Sequence, residues 1–173
     1  GVTFKSLGEF EKSVKYYEKA LSHYTLLTEK YNSSFKPYLA AAQNSLSILY
    51  GEMKAYDRAI ELANNALNSY SELYREFPDE FLPYLATSLH NLGVFNLENG
   101  DLEKAEHSFD QSLSIRKKIA QEQPESFNAD VCATLLNLIE IYYSRLENTL
   151  DHIYTQKSLE LLKELDGLLF SLN

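Results

Sequence analysis

A single cysteine, Cys132, is all the thiol chemistry this chain has. It can close no intramolecular disulfide, and a lone thiol suits a reducing, cytoplasmic compartment. Glycine and proline are scarce, with 6 and 4 residues among 173. They fall at recurring places, which leaves no linker-like or low-complexity stretch. No apolar run is long enough to span a bilayer and no signal peptide is recognisable, so no membrane partner is expected. A basic stripe is missing too. Net charge is −9, and acids and bases alternate along stretches such as Glu9, Glu11, Lys12, Lys15, Glu18 and Lys19. Such alternation reads as solvated helix surface and excludes a nucleic-acid partner, which needs clustered cations to displace phosphate counterions.

Clustered metal-ligating or catalytic residues are equally lacking. His23, His90, His107 and His152 are scattered, and none has a His, Cys or carboxylate partner at metal-ligand spacing. Neither metal nor other cofactor is expected, no residue is assigned a catalytic role, and the chain reads as a non-enzyme. Cys132 reads as a packing residue rather than a nucleophile. Tryptophan is absent against 13 tyrosines. Several of these, including Tyr17, Tyr38, Tyr50 and Tyr84, recur in register and read as filling between helices.

What the chain does have is a repeat. Tyr38-Leu39-Ala40 returns 46 residues later as Tyr84-Leu85-Ala86, Pro37 returns as Pro83, and Asn91-Leu92 returns as Asn137-Leu138. Gly1 and Gly93 stand two periods apart, as do Gly8 and Gly100. A fixed period of this length marks an array of one supersecondary unit, and such arrays present extended binding surfaces. The chain starts on Gly1 in the middle of a unit, and so reads as a piece of a longer protein.

Within one unit, apolar residues follow helical spacing twice. Leu85, Leu89, Leu92 and Phe95 share a face of a helix expected over about 83–98, and Leu102, Ala105, Phe109, Ser112, Leu113, Ile115 and Ile119 mark a second over about 102–122. Asn99-Gly100-Asp101 divides them. Gly100 can adopt the left-handed conformation that closes a helix, and Asp101 can cap the next. Pro78 and Pro124 are expected to end the second helices, and Pro37 and Pro83 to open the first ones. The expected units are 1–36 (partial), 37–82, 83–128 and 129–173. In the last, about seven extra residues near 150–154 are expected to precede the second helix, as in an irregular capping unit.

The order Leu89, Leu92, Gly93, Asn96, then Ala105 and Phe109, resembles the tetratricopeptide pattern W-x2-L-G-x2-Y, A-x3-F. Gly1, Gly8, Ser13, Tyr17 and Ala20 fall in matching columns of the first unit, and Leu46, Ser47, Tyr50, Ala59, Ala63 and Ala66 in those of the second. Lys117 stands where the family has its terminal proline, and the period exceeds the family's usual ~34 residues. The chain is thus similar to long-helix arrays such as those of kinesin light chains and bacterial multidomain sensor proteins. The resemblance implies an all-α, right-handed solenoid of antiparallel helix pairs, with the first helices lining a concave groove.

By that resemblance the groove columns hold Asn44, Ile48 and Glu52, then Thr87, His90, Asn91, Val94 and Glu98, then Asn137, Glu140 and Tyr143, with Ala41, Ser45, Leu97, Ala133, Leu136 and Ser144 beside them. Asn91 and Asn137 share a column in which an amide can grip a ligand backbone, or else brace neighbouring helices. His90 reads as a hydrogen-bonded groove histidine. The columns that hold Lys or Arg in carboxylate-clamping relatives carry no permanent cation here, so a peptide ending in acidic residues is not expected to bind. Glu52, Glu98 and Glu140 suggest a ligand with basic or amide groups. The implied role is a protein-interaction scaffold for a peptide or helix of a protein partner. The regulatory arm of a larger enzyme or signalling protein and a homo-oligomeric self-assembly module are the alternatives.

Overall fold

Proline sets the joints of the array. Phe77 and Gln123, each followed by proline, are pushed out of the helical region, to φ −136°, ψ 73° and φ −135°, ψ 65°. In the computed structural model, which describes residues 4–171, these single residues separate helices that would otherwise fuse. The elements are α1 (Phe4–Tyr31), a 3₁₀ turn (Asn32–Phe35), α2 (Lys36–Glu52), α3 (Tyr56–Glu76), α4 (Pro78–Glu98), α5 (Leu102–Glu122), α6 (Pro124–Thr149) and α7 (His152–Ser171). Asn32 stands where Pro78 and Pro124 stand in the next two units, and there the joint is the looser 3₁₀ turn. No strand occurs among the described residues.

The turn at 99–101 forms as its sequence predicts. Gly100 takes φ +85°, and the Asp101 carboxylate accepts from the Lys104 amide at 3.1 Å. The corresponding joint in the preceding hairpin places Lys54, at φ +61°, in the left-handed region, which a side chain tolerates poorly.

Two expectations are corrected. Pro83 does not open its helix but lies inside α4, which starts at Pro78, so the long period is spent on the first helix as well as the second. Pro83 is tolerated because the carbonyl it leaves without a donor belongs to exposed Asp79 in the first turn. The extra residues of the last unit, expected to precede the second helix near 150–154, are taken up in a longer α6 and in an earlier start of α7 at His152; Leu150 ends α6 at φ +55° and Asp151 caps α7 through the Ile153 amide at 3.0 Å. α1 runs unbroken through Gly8, which stands two periods before the turn glycine Gly100. Gly1 lies outside the described residues.

Small residues let the helices approach. Ala40, Ala59, Ala63, Ala66, Ala86 and Ala105 are all buried, and Ser112 sends its hydroxyl to the Ala86 carbonyl at 2.8 Å. Gly93 is a true close contact, since a Cβ there would lie 2.7 Å from the ring of Phe109, itself fully buried. Around these sit Leu135, Leu138, Ile141, Val131 and Cys132, forming the core of the α5–α7 end. Burial holds the Cys132 thiol pKa above its ordinary value.

Each helix packs against its neighbour in sequence. In addition the backbones of α2 and α4, and of α4 and α6, approach each other, whereas among the described residues those of α3 and α5, and of α5 and α7, stay further apart; α5 and α7 meet through the long side chains of Lys117–Glu164 at 2.7 Å and Lys157–Glu106 at 3.3 Å. The first helices therefore crowd together on one side while the second helices spread apart on the other. The array is an α-solenoid whose inner, concave side is formed by α2, α4 and α6.

Candidate functional site: the inner face of the first helices

Helical spacing puts Tyr38, Ala41, Ser45, Ile48 and Glu52 on one face of α2, and Tyr84, Thr87, Asn91, Val94 and Glu98 on the equivalent face of α4. Between the two helices lies a cleft of about 430 Å³. Five of the residues expected from sequence line it: Ile48 and Glu52 from α2, and Asn91, Val94 and Glu98 from α4. Its floor is Gly51 against Phe95; a Cβ on Gly51 would stand 2.4 Å from that ring, so only glycine lets the floor close. Lys54 and Tyr56 complete the rim, and Tyr56 donates its hydroxyl to Glu98 at 3.2 Å.

The remaining expected residues lie outside this cleft. Asn44 is the hydrogen-bond partner of Asn91, whose Nδ2 donates to its Oδ1 at 3.2 Å, so this pair braces α2 against α4. Asn137, in the same column one unit on, is half-buried and makes no hydrogen bond among the described residues. Thr87 is exposed and bonds only the Pro83 carbonyl of its own helix. Glu140 and Tyr143 are exposed on α6, further along the inner side.

His90, expected as a hydrogen-bonded groove histidine, is half-buried and hydrogen-bonded, and lies outside the α2–α4 cleft. It sinks between α4, α5 and α6, its ring edge-on to Phe109 with centroids 5.3 Å apart and its Nδ1 3.0 Å from Nη1 of Arg116. The same Nη1 reaches the Asp130 carbonyl at 2.8 Å and the Thr134 hydroxyl at 2.6 Å. Burial, and then the Arg116 charge, push the His90 pKa down to about 4. The imidazole is therefore neutral near pH 7 and accepts at Nδ1.

Two features escaped the sequence reading. Arg116, on a second helix and 4% exposed, brings a cation close beneath the inner side. Tyr38 and Tyr84 do stack between helices, on Tyr24 at 5.7 Å and on Tyr70 at 5.4 Å, but each keeps more than half its surface exposed. Their positions 14 residues before Glu52 and Glu98 would have revealed the shared face. One period after Tyr70 and Tyr84 come Arg116 and Asp130, so a loose ion pair (3.9 Å) stands where the earlier unit has a ring stack.

Two wider hollows, of about 630 and 700 Å³, lie on the outer side between α3 and α5 and share His107. Their floors include the buried Leu89 and Leu92. The inner side instead exposes Tyr38, Ile48, Tyr84, Leu136 and Tyr143. Among the described residues no group of three or more His, Cys, Asp or Glu could hold a metal ion, and no helix is long and apolar enough to cross a membrane.

Models described as tetratricopeptide repeat match residues 85–125 and residues 1–22. No curated protein sequence matches. Among solved structures, the crystal structure of BtubC (BKLC) from P. vanneervenii superposes with a TM-score of 0.73 at 19% identity. The match covers 98% of this chain but 60% of that one, so the chain spans well under the full length of that protein. At such identity the likeness is one of fold, and it agrees with the helical repeat described above. Small and large residues alternate at the helix contacts, and the two stretches 85–125 and 1–22 each match a tetratricopeptide repeat model.

Proposed function

We propose that this chain is a non-catalytic interaction scaffold that holds an extended segment of a partner protein along the inner face of α2, α4 and α6. The observation that carries this reading is the cleft between α2 and α4, lined by Ile48, Glu52, Asn91, Val94 and Glu98. It continues into exposed Tyr38, Tyr84, Leu136 and Tyr143 on the same side. Apolar surface flanked by polar groups is what a peptide groove requires. The units that build it are taken as one array, partial at its start and irregular at its end. A cytoplasmic setting fits a chain whose one thiol is buried and unpaired.

Self-assembly is the second reading, favoured by the apolar side chains that α7 exposes at Leu159 and Leu162. Analytical ultracentrifugation separates the two: concentration-dependent dimerisation abolished by Leu162→Glu supports assembly, and a monomer at all concentrations rejects it.

The groove is tested by capture from source lysate with wild type, Thr87→Trp and Gln111→Trp. Thr87 is exposed on the inner side and Gln111 on the outer. A protein retained by wild type and Gln111→Trp but lost with Thr87→Trp supports groove binding; loss with Gln111→Trp alone would transfer the site to the outer hollows.

A further inference from the structure

We infer that the segment taken by this groove is basic, and that arginine is the side chain it selects; the inference rests on the groove reading above. Charge is divided unevenly across the array. The three inner helices carry two basic residues, Lys36 and Arg145, against eight acidic ones: Glu52, Asp79, Glu80, Glu98, Glu125, Asp130, Glu140 and Glu147. Both cations are already engaged, Lys36 with Glu72 and Arg145 with Glu106 at 2.7 Å. Every other Lys and Arg, Lys54 apart, sits on α1, α3, α5 or α7. Glu52, Glu98 and Glu140 are exposed and form no ion pair among the described residues. An inner side so depleted of cations complements a positively charged segment and repels an acidic one.

The tyrosines narrow the choice among cations. Tyr38 and Tyr84 are each held flat by a ring behind, with interplanar angles of 18° and 16°, and are 56% and 52% exposed. A pre-positioned ring face favours a planar guanidinium, which stacks on it and also pairs a carboxylate through its fork of donors; an ammonium does the second but stacks less well. Tyr84 lies about 21 Å from Glu98 along α4 at 1.5 Å per residue. An extended chain covers that distance in about seven residues. Two arginines at about that spacing would reach the ring at one end and the carboxylate at the other. Lys54 is the opposing feature, an exposed cation on the rim beside Glu52 and Glu98. Lys54→Gly removes it and also suits the φ of +61°.

The test selects random 12-residue peptides displayed on phage against the folded protein. The best binder is then compared with its Arg→citrulline and Arg→Lys forms by fluorescence anisotropy. Arginine is expected to be enriched, citrulline to weaken binding about tenfold or more, and lysine about three- to fivefold, as loss of a charge-assisted bond and of a stacked plane predict. Glu52→Gln/Glu98→Gln should weaken the arginine peptide about tenfold, and Lys54→Gly should tighten it a few-fold. Tyr38→Leu/Tyr84→Leu, checked for folding by circular dichroism, should erase the preference for arginine over lysine. Exposed Glu103→Gln/Glu122→Gln on α5 makes the same change in net charge and should leave binding unaltered. Enriched peptides that lack arginine yet are lost on Thr87→Trp overturn the arginine inference and leave the groove standing. Arginine peptides that respond to the α5 pair but not to Glu52→Gln/Glu98→Gln, or no enrichment at all, overturn both.

Discussion

Asn91 donates its Nδ2 to the Oδ1 of Asn44 at 3.2 Å, tying α4 to α2, while Asn137 in the corresponding place on α6 has no such partner. One column of the repeat thus contains a brace and a free amide. Asn91→Ala should cost about 1 kcal/mol, the net worth of a typical hydrogen bond, and Asn137→Ala should cost less than about 0.5 kcal/mol. Urea denaturation of the two variants measures this. Equal losses would mean that Asn137 braces helices as Asn91 does.

His90 makes the array acid-sensitive. Its folded pKa of about 4 lies below the ordinary 6.5, so the unfolded chain takes up a proton first as pH falls. Its contribution is constant above pH 6.5, erodes between 6.5 and 4, and is fully lost below 4, a total of about 3 kcal/mol at 1.36 kcal/mol per unit. Other groups titrate in that range, so the informative quantity is wild type compared with His90→Gln at pH 7 and pH 4.5. The stability gap between them should shift in favour of the variant by about 1–3 kcal/mol as pH falls. A gap independent of pH would show that His90 titrates normally. Arg116→Met should raise the His90 pKa only partway, because burial is the larger cause.

Gly93→Ala tests the tightest packing. The added methyl would meet Phe109 at 2.7 Å, and that ring is fully buried. A cost of about 1–3 kcal/mol is expected, as for overpacking in a well-filled core. Gly100→Ala should also destabilise, but from φ +85° alone, since nothing lies within 4 Å of its missing Cβ. A crystal structure of Gly93→Ala with α4 and α5 unmoved and no loss of stability would contradict the packing account.

How far the sequence revealed this structure depended on which signals were local. The Asn99–Asp101 turn was legible because glycine and aspartate act on their own backbone, and they do so here. The start of α4 was misread because Pro83 carries the same opening signal as Pro78, and only the exposed Asp79 carbonyl beside it decides that a helix can pass through. The fate of the residues added to the last unit was not legible either, since extending α6 or forming a loop leaves the same pattern downstream. The α2–α4 cleft was anticipated in five of its residues by the repeat columns. Tyr38 and Tyr84 were taken for filler because their recurrence explains one ring face and is silent about the other. Arg116 was missed because its partners, His90 and Thr134, come from two other helices.

Stability should be graded along the array. No described residue of α1 is buried, while α6 buries eight, among them Val131, Leu135 and Ile141. Native-state hydrogen exchange should be fastest in α1 and slowest in α4 to α6. Protection in α1 equal to that in α5 would contradict the grading.

The central claim is that partners bind the inner side. Photo-crosslinking from benzoylphenylalanine placed at Thr87, Glu140, Gln111 or Ser114, in source lysate, tests it most directly. The first two positions are exposed on α4 and α6, and the last two line an outer hollow. The account predicts a specific adduct from Thr87 and Glu140, mapped to a basic segment of the captured protein, with none from Gln111 or Ser114. An adduct confined to Gln111 and Ser114 would contradict it and move the binding surface to the hollows between α3 and α5.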